Sequence, residues 1–86
     1  MVQFKYQYKD EVLDASYVHY LRDGYNRYRV SLPDGQIFVL ARLGIDPRIW
    51  TQSTFSLDEY TYPHDFIQAV GEGIDKIGAS GISPTI

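Results

Sequence analysis

Residues 2–8 alternate strictly, with Val2, Phe4, Tyr6 and Tyr8 on one side and Gln3, Lys5 and Gln7 on the other. A period of two is the pattern of a strand with one buried face. Lys9-Asp10-Glu11 then makes a charged turn, and a second run from about Val12 to Arg22 is rich in β-branched and aromatic residues. Asp23-Gly24 follows, a hairpin signal because glycine accepts the positive φ of a type I′ turn. A third strand is expected from Tyr25 to Leu32. In Pro33-Asp34-Gly35-Gln36 the proline is preset for the first turn position, so a fourth strand spans Gln36 to Leu43. Gly44-Ile45-Asp46-Pro47 breaks it, and Arg48 to Phe55 reads as a fifth strand.

Beyond the polar segment Ser56 to Tyr62 the period changes. At 100° per residue, Phe66, Ile67, Val70, Ile74 and Ile77 share one arc of about 100°, with Asp65, Gln68, Glu72, Asp75 and Lys76 opposite. This predicts a one-faced helix starting near Pro63, where a missing N–H costs nothing and Asp65 meets the positive end of the dipole. Ser56 with Glu59 matches a capping box. Gly71 and Gly73 each cost about 1 kcal/mol in a helix interior; Gly73, at the edge of the arc, either admits a close strand or marks a fraying end. Gly78 is a natural stop. The fold class expected is α+β: an antiparallel β-meander of about five strands with one C-terminal amphipathic helix on one face, in the order βββββα. Residues 1–78 form the single domain and 79–86 a flexible tail.

If each Asp-Gly pair is a two-residue loop, Tyr17 faces Val30, His19 faces Tyr28, Leu21 faces Asn26, and Leu32 faces Ile37 with Val30 facing Val39. The helix side of the sheet then collects Tyr17, Leu21, Tyr28, Val30, Leu32, Ile37, Val39 and Ala41. The outer face receives Val18, Tyr20, Tyr25, Phe38 and Leu40, interleaved with Arg22, Arg27, Arg29 and Arg42, and Trp50 extends it. Arg27 would stand opposite Arg42, a like-charge pair that calls for a carboxylate such as Asp14, for solvation, or for a bound anion. A three-residue Pro33-Asp34-Gly35 loop would move this pairing by one and reassign the contacts.

So apolar an outer face exceeds ordinary solvent exposure, and one helix covers only one side of a small sheet. Tyr20, Tyr25, Arg27, Arg29, Phe38, Leu40 and Arg42 are the candidate interaction residues. The function expected is a small non-catalytic interaction domain, forming a homodimer or holding a protein partner through this face. The alternative is a binding module for an anionic ligand or single-stranded nucleic acid, where aromatic rings and guanidinium planes stack on bases.

Composition narrows the remaining classes. The 86 residues carry a net charge of −3, which weighs against sequence-independent binding of nucleic acid. The arginines nevertheless all fall within residues 22–48, while residues 49–86 set Lys76 against five carboxylates. With no cysteine there is neither a disulfide framework nor thiolate chemistry. His19 and His64 lie far apart in sequence without metal-ligand spacing, His19 reading as a hydrogen-bonded structural residue and His64 as exposed. No serine sits in a nucleophile elbow, and Gly78-Ala79-Ser80-Gly81 follows a helix instead of opening one, so it cannot cradle phosphate. The expectation is therefore no enzyme, no metal and no cofactor. The chain begins as a strand and not as a signal peptide, and its longest apolar run is far short of a membrane span. A soluble, cytoplasmic domain is expected.

Overall fold

The computed structural model describes residues 1–53 and 59–80, the last three through their backbone. Five strands come first: β1 (Val2–Tyr8), β2 (Glu11–Arg22), β3 (Tyr25–Ser31), β4 (Ile37–Leu43) and β5 (Asp46–Gln52). One helix, α1 (His64–Ser80), follows. The strands form a single antiparallel meander in sequence order, and the order βββββα is the one expected. The helix runs on through Gly78 for one further half-turn. The fifth strand begins two residues earlier than its pattern suggested, admitting Pro47, which an edge strand tolerates. The expected end of that strand at residues 54–55, the Ser56 capping box and the tail from residue 81 lie outside the described residues.

The first Asp-Gly turn has the expected geometry. Asp23 and Gly24 both carry positive φ, 53° and 82°, and the β2–β3 register is the one a two-residue loop dictates, with Tyr17 opposite Val30 and Leu21 opposite Asn26. The second turn differs. Leu32 N–H donates to Gln36 O, and Gly35 N–H donates to Leu32 O at 3.0 Å, which makes Pro33-Asp34-Gly35 a three-residue loop with Gly35 at φ 95°. The extra residue moves β4 by one position. Val30 faces Phe38 and Tyr28 faces Leu40, so every β4 side chain changes sides relative to the two-residue expectation.

Phe38 and Leu40 therefore point toward the helix and join the core with Phe4, Tyr6, Ala15, Val30, Trp50, Ile67, Val70 and Ile74. Ile37, Val39 and Ala41, expected on the helix side, stand on the outer face. Trp50 is fully buried instead of extending the outer face. Two aromatic clusters line the interior. Phe66 gathers Tyr6, Tyr8, Phe38 and Tyr62 around the start of the helix, and Trp50, Tyr28, Tyr17 and Phe4 run edge-to-face beyond it. Burial raises the pKa values of Tyr6, Tyr17 and Tyr62, and the nearby Asp34 carboxylate adds to the rise at Tyr6 and Tyr62. These phenols stay protonated at neutral pH.

The sheet curls so that its two edge strands, β1 and β5, grip the helix between them. Each contact is made possible by a glycine. A Cβ on Gly71 would fall 2.0 Å from Trp50 Cγ, and one on Gly73 would fall 2.7 Å from both Lys5 O and Tyr6 Cβ. Close approach, not fraying, accounts for Gly71 and Gly73.

Two glutamines bond to backbone at and around β5. Gln68 accepts from Trp50 N–H at 2.9 Å and donates to Arg48 O at 2.9 Å, so a side-chain amide occupies the place of a neighbouring strand. Gln52 instead ties the segment before the helix to the end of β5, donating to Tyr60 O and accepting from Tyr62 N–H at 2.8 Å. Where the Gln68 amide sits, Trp50 N–H and Arg48 O are already paired and do not offer a site for another strand.

Candidate interaction face

The outer face of β2, β3 and β4 alternates arginine with aromatic and apolar side chains. Across the β2–β3 ladder Tyr20 faces Arg27, Arg22 faces Tyr25, and Val18 faces Arg29. Across β3–β4, Arg29 faces Val39. Each guanidinium therefore has an aromatic ring or a valine as its cross-strand neighbour, an arrangement in which the stem of arginine packs while its head stays wet. Arg27 Cζ lies 5.8 Å from the Tyr25 ring centroid.

Of the seven residues expected here, the structure brings Tyr20, Tyr25, Arg27 and Arg29 together and removes three. Phe38 and Leu40 are core residues, 2% and 0% exposed. Arg42 lies on the helix side, where it donates to Asp75 at 2.5 Å and to Pro47 O at 3.0 Å and covers the Trp50 ring at 4.4 Å. The like-charge pair of Arg27 with Arg42 is not formed, because the three-residue loop puts them on opposite faces. Asp14, the carboxylate expected to sit between them, is held instead by Lys5 at 2.6 Å.

Val18, Tyr20, Arg22, Arg29 and Val39 line a shallow dent of about 460 Å³ in the middle of the face. Val39 forms its floor and is 7% exposed, as is Ala41 beside it. The sequence pattern assigned Val39 to the core, so its part in the face depended on the turn length alone. Arg29 is exposed and, among the described residues, has no hydrogen bond or ion pair. Arg27 is half-buried. Its Nη1 donates to Asn26 O at 3.1 Å, while its buried Nε has no acceptor among the described residues. An orphaned donor of this kind costs about 1–3 kcal/mol.

The other polar features are engaged within the fold. His19 Nε2 lies 2.7 Å from Asn26 Oδ1 and its ring stacks on Tyr28, although the residue is exposed. His64 is exposed at the start of the helix. Tyr62 donates to Gln36 Oε1, and Gln36 donates in turn to Asp34, which ties the segment before the helix to the β3–β4 turn. The pair Asp46–Arg48 closes a local turn at 3.1 Å, and the donated hydrogen bonds hold the Asp46 carboxyl below its ordinary pKa. Among the described residues, no three His, Asp or Glu side chains gather as metal ligands would, and no helix is long and apolar enough to cross a membrane.

Compared with protein-family models, curated proteins and solved structures, the chain matches none.

Proposed function

We propose that this protein is a small non-catalytic interaction domain that holds a protein partner on the outer face of β2–β4. The observation that carries this reading is the state of Arg27 and Arg29. Two guanidinium groups are presented on a rigid, partly apolar sheet, and neither has a carboxylate among the described residues. Tyr20, Tyr25, Val18 and Val39 around them supply the aromatic and apolar contacts that interfaces favour, with arginine the charged residue most enriched there. The helix covers much of the opposite side of the sheet, packed against β1 and β5, and the Gln68 amide occupies part of the β5 edge, while this face carries no covering element among the described residues.

The experiment is site-specific photo-crosslinking in cells. A benzoylphenylalanine at Tyr20 or Tyr25 is expected to give adducts that disappear when Arg29→Glu is added. The same probe at Ile45, an exposed residue of the β4–β5 turn, should give none. Adducts from position 45 together with none from 20 or 25 would place the contact surface elsewhere.

A further inference from the structure

We infer that the partner is an acidic protein segment, whose carboxylates seat beside Arg22 and Arg29 over the Val18–Tyr20–Val39 dent and against Arg27. This rests on the outer face being the contact surface and adds the chemistry of what binds there. Charge complementarity points to this occupant. Arg27 and Arg29 reach this face without a carboxylate partner among the described residues, and the one carboxylate that β2 and β3 bring to it, Asp14, is held by Lys5 at 2.6 Å.

That imbalance discriminates between occupants. A second copy bound about a twofold axis would set the same patch against itself, bringing one arginine-bearing surface against another. Like charges brought together and desolvated oppose association. A polyphosphate chain fits the arginines, but each further anionic charge meets the protein's net charge of −3, felt within about 8 Å at physiological salt, so an occupant with few charges is favoured. Three arginines also make a short track for a nucleic-acid backbone. An acidic peptide needs only a few carboxylates, and guanidinium recognises carboxylate through two parallel hydrogen bonds.

The geometry suits an extended segment. Arg27 and Arg29 are two positions apart on one strand, so their side chains emerge roughly 7 Å apart, the same repeat as alternate side chains of an extended partner. Arg27 is half-buried, bonded to Asn26 O and set beside the Tyr25 ring, so little side-chain freedom remains to be lost on binding. Between the arginines, Tyr20 and the valine floor of the dent offer apolar contact to residues that alternate with the carboxylates.

The test uses the whole protein and three fluorescein-labelled probes read by anisotropy: a peptide of alternating Glu and Tyr, the same peptide with Gln for Glu, and an oligothymidylate. The Glu peptide should bind, more weakly as salt rises. Arg27→Ala and Arg29→Ala should each weaken it roughly tenfold, the scale of one charge-assisted hydrogen bond. The Gln peptide should bind far less. Equal binding of the Gln peptide would overturn the acidic partner while leaving the outer face as an apolar contact surface. Tighter binding of oligothymidylate than of the Glu peptide would assign the face to nucleic acid and overturn the inference. Glu-peptide binding untouched by both arginine variants would overturn the outer face itself. Failure of all three probes to bind would overturn the inference as well.

Discussion

Gly71 backs directly onto the indole of Trp50, so closely that a Cβ would overlap the ring atoms Cγ, Cδ1 and Cδ2 at 2.0–2.3 Å. The helix sits where it does because position 71 carries no side chain. Gly71→Ala gains about 1 kcal/mol of helix preference but must displace a fully buried indole that is itself hydrogen-bonded. A loss of about 3 kcal/mol or more is expected, at or beyond the upper end of ordinary overpacking. Gly73→Ala meets backbone at Lys5 and should also destabilise, by about 2 kcal/mol. Urea titration of the two variants checks both; a neutral Gly71→Ala would mean that helix and β5 are not in contact there.

Asp75 serves two donors at once, Arg42 Nη2 and Trp50 Nε1. The ion pair is partly exposed and contributes at most about 1 kcal/mol. The indole donor belongs to a buried residue, and Asp75→Ala should cost about 1–3 kcal/mol by leaving it without an acceptor. Asp75→Asn keeps an oxygen in place and should cost less. The chain's one tryptophan reports directly, since its fluorescence should shift in the alanine variant and much less in the asparagine variant. Equal effects of the two would assign the stability to Arg42 instead.

The register of β4 is testable through charge. Phe38→Glu with Leu40→Glu places two carboxylates in the core and should unfold the domain. Arg22→Glu with Arg29→Glu changes two exposed residues and should leave stability within about 1 kcal/mol. Circular dichroism in a urea series separates the two outcomes. A folded Phe38/Leu40 variant would put those side chains outside and invert the faces.

Alkaline pH should weaken the fold through its buried phenols. Tyr6, Tyr17 and Tyr62 have pKa values raised above that of an unfolded tyrosine, first by burial. The native state then holds more protons than the unfolded chain once the pH exceeds the unfolded value, so stability falls as pH rises. Their contribution is fully present below about pH 10 and is lost above it, through the raised native values. Thermal melts across that range, with ultraviolet detection of tyrosinate, should show the melting temperature dropping as these phenols ionise. A melting temperature flat through the tyrosine titration would contradict it.

Much of this architecture was legible because local chemistry and period agree. The alternation of residues 2–8, the Asp23-Gly24 turn and the apolar arc from Phe66 to Ile77 each specify an element without help from the rest. The three-residue count of the Pro33-Asp34-Gly35 loop was not legible, since Asp-Gly fits loops of two and of three residues. That one-residue difference moved Phe38 and Leu40 from the expected interaction face into the core and brought Val39 out to the face. Arg42 went with them, to an acid on the helix 33 positions further along, a contact that no local pattern carries. The bonds of Gln68 and Gln52 to backbone distant in sequence were hidden for the same reason. Tyr20, Tyr25, Arg27 and Arg29 held their face because β2 and β3 are joined by the turn whose geometry glycine and aspartate determine.

The most direct measurement is the solution mass by light scattering, over a concentration series at low and high salt, on the protein and on Arg29→Glu. A face kept open by arginine repulsion for an acidic partner predicts a monomer throughout for the unaltered protein. A dimer that persists at high salt and dissociates in Arg29→Glu would contradict this, because it would show the outer face already occupied by a second copy of the chain.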